Sequence, residues 1–408
     1  MIADTPTHLV LRLDTTAEHQ ILTHPQWPVT VNVSKFCGTT GVTEWHISVV
    51  PETPGTLDEH LAQVENGYQL ALDVTGLDLS TAVWRRFFCS DMANQASILQ
   101  SHPFSNTNCP DVPCSISHVG QIPLASAKLA LWACHVVDPK APLKKSHDGT
   151  TLVLDRGDLR HLWSTGIVQP DHETVARQTH AVFSDYVDRL SVHGLTLADH
   201  VVRTWLFQPN IDLDYAGMVV TRREFFADHG LTADTHFIAS TGIAGNHDHP
   251  MTRVFLDAYA IGGLRDDQVN YLTALDHLGP TYDYGVTFER ATSIAYRDRL
   301  QIFISGTASI DPSGKIVHPD DVVRQLDRTL NNIDGLLAAA GAGLADMLVF
   351  LVYLRDPTDH ALVLPVLRER LGNVPILVLA AAVCRPGWLI EIEGVATVAA
   401  DHPEMPTF

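Results

Sequence analysis

The chain has 408 residues, 45% hydrophobic and 18% charged, the composition of a soluble globular protein large enough for two or three domains. A formal net charge of −20 speaks against nucleic acid or anionic membrane as partner, because phosphate binding calls for a basic surface. No apolar run reaches the ~18 residues of a spanning helix, and Met1 to His8 lack the basic and apolar regions of a signal peptide. Cys37, Cys89, Cys109, Cys114, Cys134 and Cys384 have no C-x-x-C spacing, which disfavours a disulfide framework or a zinc site. The expected location is a reducing cytoplasm.

Residues 1–28 have no sustained period and read as a loosely structured lead-in. Residues 29–34 and 42–50 alternate or run apolar, which predicts two strands, with a turn over 51–55. Leu57, Leu61, Val64, Tyr68 and Leu72 recur at three- and four-residue steps, predicting an amphipathic helix over 56–75 that Gly76 ends.

The segment opened by Gly76 recurs at Gly194 and Gly341: glycine, a short polar step, then a strand, 16 residues without a gap in each copy. Each segment comes after a helix, and Arg177-Gln178 and Arg324-Gln325 hold matching places in the second and third. A helical stretch comes next, then a strand (114–119, 235–240 or 375–380) and a last apolar strand (128–134, 254–260 or 389–395). The glycines lie 118 and 147 residues apart, which is domain-sized and beyond the ~20–50 residues of a solenoid period. The expected organisation is a lead-in, 1–28, then three copies, 29–138, 150–263 and 280–400. Linkers span 138–149 and 262–280, and Asn246 to Pro250 is a turn inside the second copy.

The third copy resembles the Rid (YjgF/L-PSP) family over its whole length. The resemblance rests on Phe303-Ile-Ser305-Gly306-Thr307-Ala-Ser-Ile-Asp311, on Val323 to Ile333 around Arg324, on Ala342-Gly-Leu-Ala-Asp346 and on Ile390-Glu391-Ile-Glu393-Gly394. It implies a trimer of sheets, each backed by two helices, with ligand pockets in the clefts between subunits. Three copies in one chain then imply an α/β fold of three tandem Rid-like (chorismate-mutase-like) α+β units. They would form an intramolecular pseudo-trimer with helices outside the sheets, either monomeric or in a small homo-oligomer. The chain is also similar to the chorismatases, which pair a divergent N-terminal part with a Rid-like C-terminal part and carry a glutamate after a Cys-Arg-Pro segment. Cys384 and Glu391 match that arrangement. In one respect the chain departs from imine-hydrolysing Rid enzymes. They carry an arginine two residues after the proline that opens the penultimate strand, whereas Pro375 is followed here by Ile376 and Leu377.

Glu391 and Glu393 stand two apart on a strand and therefore share a face. A carboxyl in a partly apolar cleft has its pKa raised by desolvation, which suits a general acid at neutral pH. Aligning the last strands by hand puts Ala130 and Leu256 at the place of Glu391, with Asp257 one residue away, so one live pocket among three clefts is expected. Cys384 is a nucleophile or a small packing residue. In the stretch that holds Tyr284, Phe288 and Arg290 fall where the Rid resemblance implies an aromatic and a polar residue at the cleft mouth, and Arg290 is the preferred carboxylate fork, unless it pairs with Glu289 or a neighbouring carboxylate. Arg385 binds substrate or lies on the surface. Arg203, on an apolar strand with Arg85 at the matching place in copy one, is a cleft ligand or half of a structural ion pair. Tyr215, Ser240 to Gly242, Ser305, Gly306 and Thr307 offer hydroxyl and backbone donors or simply turn the chain. His247 and His249 sit in a loop with no third metal ligand apparent, and no phosphate loop, dinucleotide fingerprint or Ser-His-Asp signature is present.

The similarity to chorismatases implies cleavage of the enolpyruvyl ether of chorismate or a related carboxylated metabolite, with Glu391 as acid and no metal or redox cofactor. Rid-type imine or enamine hydrolysis or tautomerisation, and non-catalytic binding of a small molecule, are the other two readings.

Overall fold

The computed structural model describes residues 17–24, 27–106, 112–124 and 126–408; Cys109 and residues 1–16 of the expected lead-in lie outside them. The first region contributes β1 (Glu18–His24), β2 (Trp27–Cys37), β3 (Thr43–Pro51), α1 (Leu57–Thr75), β4 (Ala82–Cys89), α2 (Met92–Ser101), β5 (Ser115–Val119), β6 (Ile122–Pro123) and β7 (Leu129–Val137). The second contributes β8 (Lys144–Asp148), β9 (Thr151–Arg156), β10 (Leu159–Val168), α3 (Val175–Val192), α4 (Leu197–His200), β11 (Val201–Gln208), α5 (Ile211–Asp228), β12 (Ala239–Ala244) and β13 (Phe255–Gly262). The third contributes β14 (Val269–Leu272), β15 (Ala291–Tyr296), β16 (Arg299–Ala308), α6 (Val322–Ala338), β17 (Met347–Leu354), α7 (His360–Leu371), β18 (Ile376–Ala380) and β19 (Ile390–Ala399).

Three sheets share one five-strand core: β2-β3-β7-β4-β5, β9-β10-β13-β11-β12 and β15-β16-β19-β17-β18. In each, the last two strands named pair in parallel and the other pairs are antiparallel. Helices α1, α3 with α5, and α6 with α7 cover the outer faces, and the inner faces of all three sheets contribute to one apolar core. The chain is thus three tandem Rid-like units folded as a pseudo-trimer.

The recurrent glycines have the same physical job. Gly76, Gly194 and Gly341 sit at φ 72°, 73° and 70°, the left-handed region that a Cβ disfavours, and each turns the chain from a helix toward its next strand. The ungapped match needs one correction. β4 and β17 begin six residues after their glycines and β11 begins seven after Gly194, where the short α4 holds the additional residue. Four other expectations shift. The strand expected at 235–240 forms at Ala239–Ala244, both linkers contain an edge strand (β8 and β14), and β1 occupies part of the expected lead-in. Edge strands have weak sequence signals because one side of their ladder goes unpaired and little of their surface is buried.

The sheets are stitched together. β6, from the first region, pairs antiparallel with β18 of the third sheet. Gly120 and Asn246 exchange backbone hydrogen bonds at 2.8 and 3.0 Å, and Ala244 N donates to Ala382 O at 3.0 Å. Each junction also buries a carboxylate of one unit against donors of another. Asp257 accepts from Arg86 at 2.9 Å and Ser117 at 2.5 Å. Glu44 accepts from Gln301 at 2.7 Å and Thr397 at 3.1 Å. Glu393 is gripped by the Arg203 guanidinium and the Thr241 hydroxyl, with Trp205 Nε1 at 3.0 Å and, from its own sheet, the Tyr353 hydroxyl at 2.5 Å.

Removing one partner of such a pair strands a buried charge. Arg203→Met is expected to cost about 3–5 kcal/mol in urea unfolding, and the double variant Arg203→Met/Glu393→Gln to recover much of it.

Candidate active site

The seam between the second and third sheets opens into a narrow cleft. From the second unit come Tyr215 and Arg222 on α5 and Ser240 and Gly242 on β12; from the third come Phe288, Arg290, Gly306, Cys384, Arg385, Trp388 and Glu391. Tyr215 and Arg222 are seven residues apart, two turns of helix, so both point the same way.

Glu391 is 4% exposed and lies against Gly306. Gly306 is the middle of a bulge: β16 pairs Ile304 with Gly394 but Thr307 with Ile392. A Cβ at 306 would collide with Glu391 Oε1, so only glycine leaves room for the carboxyl. Burial, reinforced by the neighbouring Glu393 charge and partly opposed by Arg203, raises the Glu391 pKa to about 8. At neutral pH the group is therefore chiefly a neutral carboxylic acid.

Three guanidinium groups share the cleft. Arg222 is buried, and among the described residues no carboxylate lies within ion-pair distance of it. Its neutral contacts are Thr287 Oγ1 at 3.3 Å and Ser240 Oγ at 3.5 Å. Burial draws its pKa down, with Tyr215 and Cys384 opposing. Arg290 donates to the Gly279 carbonyl at 3.0 Å and lies 5.4 Å over the Phe288 ring. Glu289 instead accepts from Phe237 N at 2.7 Å. Arg385 is half-buried, 4.8 Å over the Trp388 ring, and the Trp388 indole N–H is buried without an acceptor. Burial, with the Glu391 charge second, pushes the Cys384 thiol pKa well up, with Tyr215 opposing. Cys384 is therefore a neutral thiol, poorly suited to nucleophilic attack.

The structure thus gathers Glu391, Cys384, Tyr215, Phe288, Arg290, Arg385 and Gly306 into one cleft. Three expected residues fall elsewhere. Arg203 is spent on Glu393, as a buried strand arginine must be. Ser305 donates to Glu289 O at 2.6 Å and accepts from Ser240 N at 2.9 Å, which ties the two units together behind the cleft. Thr307 donates to Ser305 O at 2.9 Å within the bulge. The Tyr284 side chain lies outside the described residues. Glu393, on the same face as Glu391, is sealed in the seam.

In the second unit the counterpart of Glu391 lies one residue from the expected Leu256. The bulge at Gly306 recurs at Gly166, where β10 pairs Ser164 with Ala258 and Ile167 with Leu256. Leu256 therefore matches Ile392, Phe255 matches Glu391 and Asp257 matches Glu393. In the first unit, β3 and β7 pair without that bulge. Only the third unit carries an acid at this position, as expected. Arg222 and Trp388 were missed. The Tyr215/Arg222 spacing was a readable signal, but α5 alone does not reveal which face meets a neighbouring unit.

One group of metal-ligand types occurs among the described residues, Glu44, His46 and Cys134, away from the cleft. Trp132 Nε1 donates to His46 Nδ1 at 3.0 Å, so the ring proton belongs on Nε2, facing Glu44 Oε1 at 3.1 Å. That is the nitrogen a metal would need.

Comparison with known proteins fits this geometry. The family model described as Endoribonuclease L-PSP matches residues 291–398. A RutC family protein of Pyrococcus abyssi (strain GE5 / Orsay) is 35% identical over 97 residues, 23% of this chain and 76% of the relative. The chain belongs to the RutC (Rid/L-PSP) family. A second RutC family protein, from Pyrococcus horikoshii, is 36% identical over 97 residues, 23% of this chain and 77% of its own length. The family match is thus carried by about a quarter of the chain. Across 78% of the chain and 93% of the other, the fold is that of a chorismatase crystal structure, with TM-score 0.59 and 18% identity. No helix among the described residues is long and apolar enough to cross a membrane.

The raised Glu391 pKa has a measurable consequence. The unfolded chain releases this proton near the ordinary glutamate value of 4.5, but the folded chain holds it to about 8. Folding stability is thus expected to fall, relative to Glu391→Gln, as pH rises between those values and to level off above them. Thermal melts of both proteins across that range check this. Parallel curves would mean that Glu391 ionises normally.

Proposed function

We propose that this protein is a chorismatase-type enzyme that cleaves the enolpyruvyl ether of chorismate or a closely related small carboxylated metabolite. The observation that carries the reading is the neutral Glu391 carboxyl in a cleft with Arg222, Arg290 and Arg385. Such a site suits a substrate that is anionic at its ends and needs a proton in its middle.

In this reading two of the guanidiniums bind the ring and side-chain carboxylates by charge-assisted hydrogen bonds. Glu391 gives its proton to the terminal methylene of the enol ether, leaving an oxocarbenium ion at the ether carbon. Water adds to that carbon and returns a proton to the Glu391 carboxylate. The resulting hemiketal collapses: the bond between its central carbon and the ring oxygen breaks as the hemiketal hydroxyl proton passes to that oxygen, so pyruvate leaves and the ring acid keeps the oxygen as its hydroxyl. One water is consumed and the acid is regenerated. Phe288 and Trp388 supply apolar walls, and the protonated Cys384 thiol with Tyr215 shapes the ring pocket. General acid catalysis of this kind contributes about 10²–10⁴-fold.

Family membership keeps Rid-type imine or enamine hydrolysis as the second reading. It is less favoured because Leu377, buried in β18, stands where those enzymes carry their carboxylate-binding arginine. Arg222 would have to take that part.

Incubation with chorismate is expected to release pyruvate, followed by coupled lactate dehydrogenase, and Glu391→Gln to lose at least about 10²-fold in rate. The wild-type rate is expected to fall as pH rises through about 8, where Glu391 loses its proton. Folded protein that yields no pyruvate would remove this reading. Arg222→Met is expected to raise KM about tenfold or more with a smaller change in kcat, as lost carboxylate binding requires. An unchanged KM would remove Arg222 from the site.

A further inference from the structure

A second, narrow and partly enclosed space lies where the three sheets face one another, and the proposed reaction makes no use of it. Its walls come from equivalent positions of the three units. His46, Trp163 and Phe303 pair across their sheets with Cys134, Tyr259 and Val395, and all six line the space. The space therefore sits on the pseudo-threefold axis, and the chain has diversified it. Two residues earlier on the same strands, the corresponding residues are Glu44, His161 and Gln301.

Two properties of this lumen point to a ligand. The first is aromatic lining combined with a lone negative charge. Trp84, Trp132 and Trp205 form one part of the wall, and Trp163, Tyr259 and Phe303 another. Arg86 lies over the first three rings at 4.9, 5.6 and 4.6 Å, but its charge is matched by Asp257. No cation lies over the other three rings among the described residues. Glu44, 0% exposed, also lines the lumen, and its one ion-pair neighbour there is His46. The hydrogen bond from Trp132 makes His46 the neutral tautomer, and the nearby Arg299 is bound to Asp298 at 2.9 Å. One net negative charge thus remains in an aromatic chamber. The second property is a pair of polar atoms without partners. Trp84 Nε1 and Gln301 Oε1 belong to lining residues 2% and 5% exposed, and neither makes a hydrogen bond. Buried polar groups left in this way call for a partner.

We infer that this axial chamber binds a small organic ammonium cation, held by the aromatic faces and the Glu44 carboxylate. Aromatic faces attract a desolvated cation through the negative face of the ring quadrupole. A carboxylate already satisfied by Gln301, Thr397 and His46 supplies charge without needing to move. A hydroxyl or amine hydrogen on the ligand would meet Gln301 Oε1, and a ligand oxygen would meet Trp84 Nε1. The inference is independent of the reaction assigned to the cleft.

Intrinsic tryptophan fluorescence of the whole protein, titrated with choline chloride against matched sodium chloride, tests it. The comparison ligand is 3,3-dimethylbutan-1-ol, which has the same shape with carbon in place of the charged nitrogen. A saturable change with choline, at least tenfold weaker with the neutral alcohol and at least tenfold weaker in Glu44→Gln, is the expected result. Equal binding of the two ligands would mean a merely apolar cavity and would overturn the inference, as would no saturable response from folded protein. If Glu44→Gln does not fold, Trp163→Leu decides: it removes an aromatic face and keeps the charge, and an unchanged choline affinity would overturn the inference.

Discussion

The buried contact between Arg203 and Glu393 is the constraint on which both the architecture and the candidate site depend. It joins the second sheet to the third, and Trp205, Thr241 and Tyr353 complete the coordination of the carboxylate. A carboxylate removed from water is tolerated only with a paired charge and hydrogen bonds of this kind. The same pair sets the field felt by Glu391, two residues away on the same strand face. The Glu393 charge raises the Glu391 pKa and the Arg203 charge lowers it, while burial remains the largest cause. A structural seam and a poised acid are thus parts of one electrostatic arrangement, and a change in either partner would be felt at the cleft.

Building a trimer from one chain removes the obligation of symmetry. In a homotrimer every cleft and every axial position occurs three times. Here the position of Glu391 holds Phe255 and Ala130 in the other units, and that of Glu393 holds Asp257 and Trp132. The glycine bulge that makes room for Glu391 occurs in two units and is missing from the first. One cleft can therefore collect an acid and several arginines while other junctions keep only structural pairs such as Arg86–Asp257. The axial chamber is a product of the same freedom, since a single carboxylate on a threefold axis is possible only when the three units differ.

Much of the fold was legible because its signals are local. Helix α1 follows from apolar spacing and a glycine stop, and the recurrent glycines reappear in the structure with nearly identical positive φ. Motifs around Ser305 and Glu391 carried the family resemblance. The edge strands β1, β8 and β14 were not legible, because their pattern is short and only partly buried. Nor was the one-residue slip in the last strand of the second unit, where the pairing of β10 with β13 moves Leu256 off, and Phe255 onto, the Glu391 position.

The sequence by itself determined the three-unit organisation, the recurrent helices and the strands that follow their glycines, and the choice of Glu391 over its counterparts, since periodicity, turn residues and side-chain alternation act along the chain. The tertiary structure decided which charged side chains are free to work. Arg203 and Glu393 neutralise each other across a seam and Ser305 is spent on backbone groups, whereas Arg222, unremarkable in its helix, faces the cleft without a carboxylate partner among the described residues. Pairing and desolvation are properties of neighbours brought together from distant positions, and no local pattern specifies them.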